Sequence, residues 1–229
     1  MNKSITYKLI RSNRKTIAIH ITKDAQVEVR APFGAKQKEI DKFISLKRDW
    51  IQKHLVRINQ VQEERLKFEL NYGDHLRLMG RKIPILARAG NKVGFDGQCF
   101  YLPPKFLTDE IKGAIIGLYK QIAKQVLTDR TFAYAREMGL LPRAVKVNSA
   151  KTRWGSCSSK GSINYSWRLI MADEEVINYV IVHELAHLKE LNHSPKFWAV
   201  VASILPDYKM WQKRLKEFQR EIAHENWSD

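Results

Sequence analysis

The chain has 229 residues, 44% of them hydrophobic and 10% aromatic, which is enough to bury a sizeable core and excludes wholesale disorder. It carries 40 Lys+Arg against 24 Asp+Glu, a net charge of +16, and only Cys99 and Cys157, too few for a disulfide framework. No apolar run approaches the ~18 residues of a membrane span, and the polar, basic segment Met1 to Arg14 does not read as a secretory leader, so a reduced, cytoplasmic protein with no membrane partner is expected.

The first thirty residues read as strands. Ile17, Ile19 and Ile21 alternate with Ala18, His20 and Thr22; Val27 and Val29 alternate with Gln26, Glu28 and Arg30. Asp24-Ala25 is the expected turn, and Pro32 and Gly34 close the unit. A long basic helix is expected from about Lys36 to Leu66, with a break near Gln60 to Glu64 and Trp50 as a packing residue. Residues 72–104 are punctuated by Gly73, Gly80, Gly90, Gly94, Gly97, Pro103 and Pro104, the pattern of a small antiparallel sheet of hairpins.

Pro104 to Thr108 marks the expected boundary between a basic, strand-rich N-terminal region (1–107) and a second region (108–229). The first holds 22 Lys+Arg and 10 Asp+Glu, or +12; the second holds 18 and 14, or +4. Such a basic half is able to make non-specific nucleic-acid contact, although no Arg-rich tract or aromatic-interleaved motif accompanies it.

The second region opens with a helical pattern from Thr108 to Met138, stopped by Gly139. Val145 and Val147 suggest a short strand, and Ser162 to Ile170 a longer one with Ile163, Tyr165, Trp167 and Leu169 on one face. Helices are expected at about 174–191, 195–205 and 207–224. Strands first and helices later make the fold class α+β.

The segment Asn178 to His187 carries the chemistry. Asp173 is placed to cap its helix, with Glu174 and Glu175 at the positive end of the dipole. Val176, Ile177, Val180, Ile181, Leu185 and Leu188 make the helix apolar round much of its circumference, hence buried. Two histidines and a glutamate inside it need partners. At about 100° per residue, His183 and His187 lie about 40° apart and about 6 Å along the axis, so both imidazoles reach one metal ion. Glu184 lies about 60° round from His187 and flanks the ligand face, where a base acting on an activated water is needed.

A catalytic zinc takes three protein ligands and keeps one open position. His193 is the third, provided the helix ends first. Asn192 suits a left-handed helix end, Ser194 the next N-cap and Pro195 its first position. His20, His54, His75 and His224 have no such companions. In this reading Glu184 takes a proton as water attacks a carbonyl and returns it to the leaving amine. Arg153, Tyr165 and Tyr208 are candidate oxyanion donors by residue type.

Arg153-Trp154-Gly155-Ser156-Cys157, Ile163 to Ile170, Tyr179 to His187, Asn192-His193-Ser194 and Phe197-Trp198 together resemble the YgjP-like metallopeptidase family. The likeness reaches back to the N-terminal strands and the Trp50-Ile51 helix. It implies a zincin-like helical catalytic core with a small antiparallel sheet over 108–229, similar to that of SprT-like and Wss1-like proteases. It also implies zinc held by His183, His187 and His193, Glu184 as catalytic glutamate, and a protein or peptide substrate. The strand at 162–170 is then either the site of substrate β-addition or ordinary core. The ligand spacing matches metzincins too, but Glu190 stands where they carry glycine and no methionine turn follows. Two other functions remain open on sequence alone: a nucleic-acid-associated module with a structural metal, and a zinc amidohydrolase acting on small amides.

Overall fold

The computed structural model describes residues 5–228. The chain divides into two compact units, one of residues 1–68 with 223–226, the other of 69–222 with 227–229. The division thus falls at residue 68 and puts the sheet of residues 75–102 in the second unit, whereas the composition shift lies near residue 107.

The first unit is built from β1 (Lys8–Ser12), β2 (Ala18–Ile21), β3 (Val27–Pro32), α1 (Gln37–Leu46) and α2 (Arg48–Leu66). The strands run in the order β1-β3-β2, with β1 parallel and β2 antiparallel to β3. Alternation works as expected: Val27, Val29 and Ala31 point inward and meet Ile40, Ile44 and Ile51. The helical stretch breaks at Lys47 (φ −101°, ψ 8°), not near Gln60 to Glu64. The break lets two amphipathic segments bring Ile40 and Ile44, then Ile51 and Leu55, to the same core. Trp50 is not a core residue: it is 42% exposed and packs its ring on His54 at 4.1 Å.

The second unit contains β4 (His75–Leu78), β5 (Arg81–Ala87), β6 (Gly94–Phe95), β7 (Phe100–Leu102), α3 (Thr108–Glu137), β8 (Ala144–Asn148), β9 (Gly155–Cys157), β10 (Ser162–Ser166), a 3-10 turn (Trp167–Met171), α4 (Glu174–Ala186), α5 (Pro195–Ile204) and α6 (Tyr208–Glu221). The sheet β4-β5-β7-β6 is mixed, because β5 and β7 run parallel. Its first hairpin turns on Met79 and Gly80, both at positive φ, the geometry whose twist matches a two-residue hairpin. The sheet β8-β10-β9 is mixed as well: β10 is parallel to β8 and antiparallel to β9. Alternation along a strand says which face is buried but not which way its neighbours run, so direction escaped the sequence reading.

α3 runs thirty residues and stops where expected: Gly139 is left-handed (φ 61°) and the Leu140 N–H bonds back to Ala135. Ile111, Ile115, Tyr119, Ala123, Leu127 and Ala135 of this helix are buried. Arg130 ties α3 to α4 through Asn178 (3.0 Å) and Glu174 (2.7 Å). Thr131 ties it to β10 through the Tyr165 hydroxyl at 3.2 Å. Asp173 begins α4, but its carboxylate pairs with Arg214 of α6 instead of capping the helix N–H groups. With helices on three sides, α4 is buried at Val176, Ile177, Tyr179, Val180, Ile181, Val182, Glu184, Leu185 and Ala186. The architecture is α+β, and no helix among the described residues is long and apolar enough to cross a membrane.

Candidate metal centre

α4 presents His183 and His187 one turn apart, and the chain then turns sharply. The helix ends at Ala186, and Leu188, Lys189 and Glu190 close tight turns onto Leu185 and Ala186. Asn192 is not left-handed; the stop is made earlier, and the carbonyl of Glu190 is brought back to Nδ1 of His187 at 3.1 Å. Ser194 caps α5 as expected, its side chain accepting from the Phe197 N–H, with Pro195 in the first turn.

This path returns His193 to the helix. Ligand atoms of His183, His187 and His193 all lie within 4.8 Å of one another, and the Nε2 atoms of His183 and His193 are 3.1 Å apart. Cys157 is not part of the group. Phe197 supports all three rings, fully buried with centroids 4.9 Å, 4.6 Å and 4.7 Å from those of His183, His187 and His193. Trp198 borders the cluster at 5.9 Å from His183 and 5.7 Å from His193, and Tyr208 stacks on its outer face. The floor role of Phe197 was not visible in the sequence. Only the spacing from Ser194, one turn into a capped helix, hints at it.

The donor set fits a divalent ion. Burial, with the neighbouring imidazoles adding to it, pulls the His183 pKa down to about 3, and burial lowers that of His187 too, so both rings are neutral at pH 7. The backbone carbonyl of Glu190 accepts a hydrogen bond from Nδ1–H of His187, which fixes the tautomer and leaves the Nε2 lone pair for a ligand bond. Nδ1 of His183 is buried with no hydrogen-bond partner, so this ring's polar contacts run through Nε2. The Nε2 atoms of His183 and His193 meeting at 3.1 Å suit a shared cation between them.

Glu184 follows His183 in α4, and its side chain packs against β9. It is 6% exposed, and burial pushes its pKa up to about 7, with the positive charge of Arg153 opposing the rise. Gly155 of β9 lies against it: a β-carbon at Gly155 would stand 2.5 Å from Oε1 of Glu184. Cys157 and Tyr165 also feel this carboxylate, and burial raises both their pKa values. Of the three candidate donors, Arg153 is exposed and electrostatically coupled to Glu184. Tyr165 is fully buried with its hydroxyl held by Thr131, so it does not face a substrate. Tyr208 lies behind Trp198.

β10 ends at Ser166, and Trp167 and Leu169 belong to the following 3-10 turn. It is the central strand of its sheet, paired on both sides, and has no free edge for an added strand. β8 and β9 are the edge strands, and β9 is the one beside Glu184.

Two solved metallopeptidase zymogens resemble part of the chain. Abylysin of Pyrococcus abyssi is 25% identical, with 41% of this chain and 95% of that chain covered and a TM-score of 0.39. Jannalysin of Methanocaldococcus jannaschii is 23% identical, with 42% and 97% covered and a TM-score of 0.37. A curated relative, the UTP pyrophosphatase of Escherichia coli strain K12, is 28% identical over 98 residues, which is 39% of this chain and 59% of that protein. The YgjP-like metallopeptidase domain matches residues 15–218, with β2, β3 and the histidine cluster included, and the chain therefore belongs to the YgjP-like metallopeptidase family.

Proposed function

We propose that the protein is a zinc-dependent peptidase in which His183, His187 and His193 hold the ion and Glu184 is the general base. The observation that carries this reading is the convergence of His183, His187 and His193, with the buried Glu184 next to His183 in α4. A structural metal site has no use for a buried carboxylate with a pKa near neutrality at its side; a hydrolase does. When bound, the ion supplies a Lewis acid that acidifies water and polarises the scissile carbonyl.

The chain's own residues do the rest. Glu184 accepts the proton of the attacking water and passes it to the leaving amine, and a pKa of about 7 suits both halves of that task. Glu190 holds the His187 ring through its carbonyl. Arg153, exposed beside Glu184, is the best-placed side chain to stabilise negative charge on the substrate. The free edge of β9 offers N–H and C=O groups to an extended peptide, the role first considered for the strand at 162–170.

Glu184→Gln tests the base. Hydrolysis of a peptide library should fall by roughly 10²–10⁴-fold with the metal retained. Unchanged hydrolysis with the metal retained overturns the assignment.

A second reading is favoured by the name of the Escherichia coli relative and by the cation beside Glu184. Hydrolysis of a phosphoanhydride uses the same base and the same Lewis acid, with Arg153 on a phosphate oxygen. Side-by-side assays of peptides and nucleoside triphosphates with wild type and Glu184→Gln separate the two substrates.

A further inference from the structure

We infer that the substrates of this site are acidic peptides: the edge of β9 selects chains that carry carboxylates on both sides of the scissile bond and none beside it. The inference deepens the peptidase reading above and rests on it.

The sequence supplies the sign of the charge. From Arg143 to Ala172 the chain holds no Asp or Glu, and this segment builds the whole sheet β8-β10-β9. Over the same stretch stand Arg143, Lys146, Lys151, Arg153 and Lys160, all exposed. None of them forms an ion pair with a carboxylate among the described residues. A surface lysine beside an acid is ordinary and nearly neutral at a distance. A sheet with cations and no acid of its own keeps a positive potential.

The topology brings these charges to the ends of one strand. Lys151 and Arg153 precede β9, and Lys160 follows it in the turn to β10. That turn is closed by the Gly161 N–H on the Ser158 carbonyl, with Gly161 left-handed (φ 76°). The Arg143 N–H bonds to the Gly161 carbonyl at 2.9 Å, which brings a further basic residue to the same end of the sheet. β9 is 3 residues long, or about 10 Å. An extended peptide paired along its open edge therefore meets cations before and after it.

The middle of the strand has the opposite sign. The Glu184 carboxylate packs against Gly155, where burial leaves its charge poorly screened. A substrate carboxylate beside the scissile bond would be repelled there. The same group a few residues further out, in either direction, meets Lys151 and Arg153 or Lys160. Charges at the rim of a binding surface steer encounter and set the choice of partner.

The test uses the zinc-loaded full chain carrying Glu184→Gln, so that bound peptide is not consumed. Three fluorescein-labelled peptides of one length, neutral at the centre and flanked by Glu, Gln or Lys, are titrated by anisotropy at about 20 mM salt. The Glu peptide should bind roughly tenfold more tightly than the Gln peptide, and the Lys peptide most weakly. The preference should shrink at about 300 mM salt. Charge reversal by Lys151→Glu/Lys160→Glu should invert the order, which an unfolded chain cannot do. Should that chain fail to fold, Lys151→Gln and Lys160→Gln decide singly: each should weaken the Glu peptide by roughly threefold and leave the Gln peptide unchanged, and no loss in either overturns the proposal. Equal binding of the Glu and Gln peptides overturns the acidic preference and leaves the peptidase reading standing. So does a preference that survives charge reversal. A single-stranded oligonucleotide that displaces the Glu peptide at lower concentration than unlabelled Glu peptide does assigns the edge to nucleic acid and overturns the proposal. Failure of all three peptides to bind, with a nucleoside triphosphate bound by the same protein, overturns the proposal and the peptidase reading together.

Discussion

The α-carbon of Gly155 and the carboxylate of Glu184 approach so closely that a methyl group on the glycine would stand 2.5 Å from Oε1, 2.6 Å from Cγ and 2.8 Å from Cδ. The strand beside the helix is therefore fitted to the glutamate atom by atom. Gly155→Ala should displace the carboxylate, and a misplacement of about 1 Å costs roughly 100-fold in rate. The expected outcome is a folded variant with wild-type metal content and about a hundredth of the activity. Activity within a few-fold of wild type would show that the carboxylate has room to move.

The metal should depend on all three histidines, two on a rigid helix and one on the turn after it. Metal content by mass spectrometry is expected near one zinc per wild-type chain and near zero for His193→Ala. A chelator should lower the melting temperature of wild type and leave that of His193→Ala unchanged, because only the former holds an ion that stabilises the native state.

Glu184 makes the stability of the metal-free protein depend on pH. Its native pKa, about 7, lies above the ordinary value of 4.5, so the folded chain binds the proton more tightly than the unfolded chain. The contribution is fully present below pH 4.5 and is lost as pH rises through 7. Over that window wild type should lose about 3 kcal/mol relative to Glu184→Gln, which cannot ionise. Comparison with this variant is needed because His183, with its pKa depressed to about 3, acts in the opposite sense between pH 3 and 6.5. Urea denaturation of both chains after metal removal, from pH 4 to 8, measures the difference. A constant difference across that range would contradict the burial of Glu184.

Tyr165 should prove structural. Its hydroxyl is buried and held by Thr131 at 3.2 Å. Tyr165→Phe removes one side of that bond and should cost about 1 kcal/mol of stability in denaturant while leaving kcat close to wild type. A large fall in kcat without a fall in stability would restore it as a donor to the substrate.

The histidine pair was legible in the sequence because helix geometry fixes it: positions four apart on a buried helix face the same point whatever surrounds them. The capped restart was legible for a similar reason, since Ser194 and Pro195 are local signals. The manner of the stop was not. Asn192 suggested a left-handed residue, but the turn is set earlier, by tight turns at residues 188–190 and by the His187 bond to Glu190, a contact that depends on the finished path. The alternation of Ile163, Tyr165, Trp167 and Leu169 predicted a strand to residue 170. The structure changes to a 3-10 turn at Trp167 and buries those residues regardless, so the pattern recorded burial and not extension. Gly155 stood in the Arg153 to Cys157 motif, but its fit to Glu184 was not legible, because that requirement comes from a side chain on another element.

α4 is enclosed almost all round, whereas the turn that carries His193 is exposed at Leu191, Asn192 and His193. Elements so unequally protected open at different rates, the buried helix only with global unfolding and the surface turn far more often. In the proposed site the exposed turn is then the ligand-bearing element that opens most readily, and an ion held there would leave through it without disturbing the core.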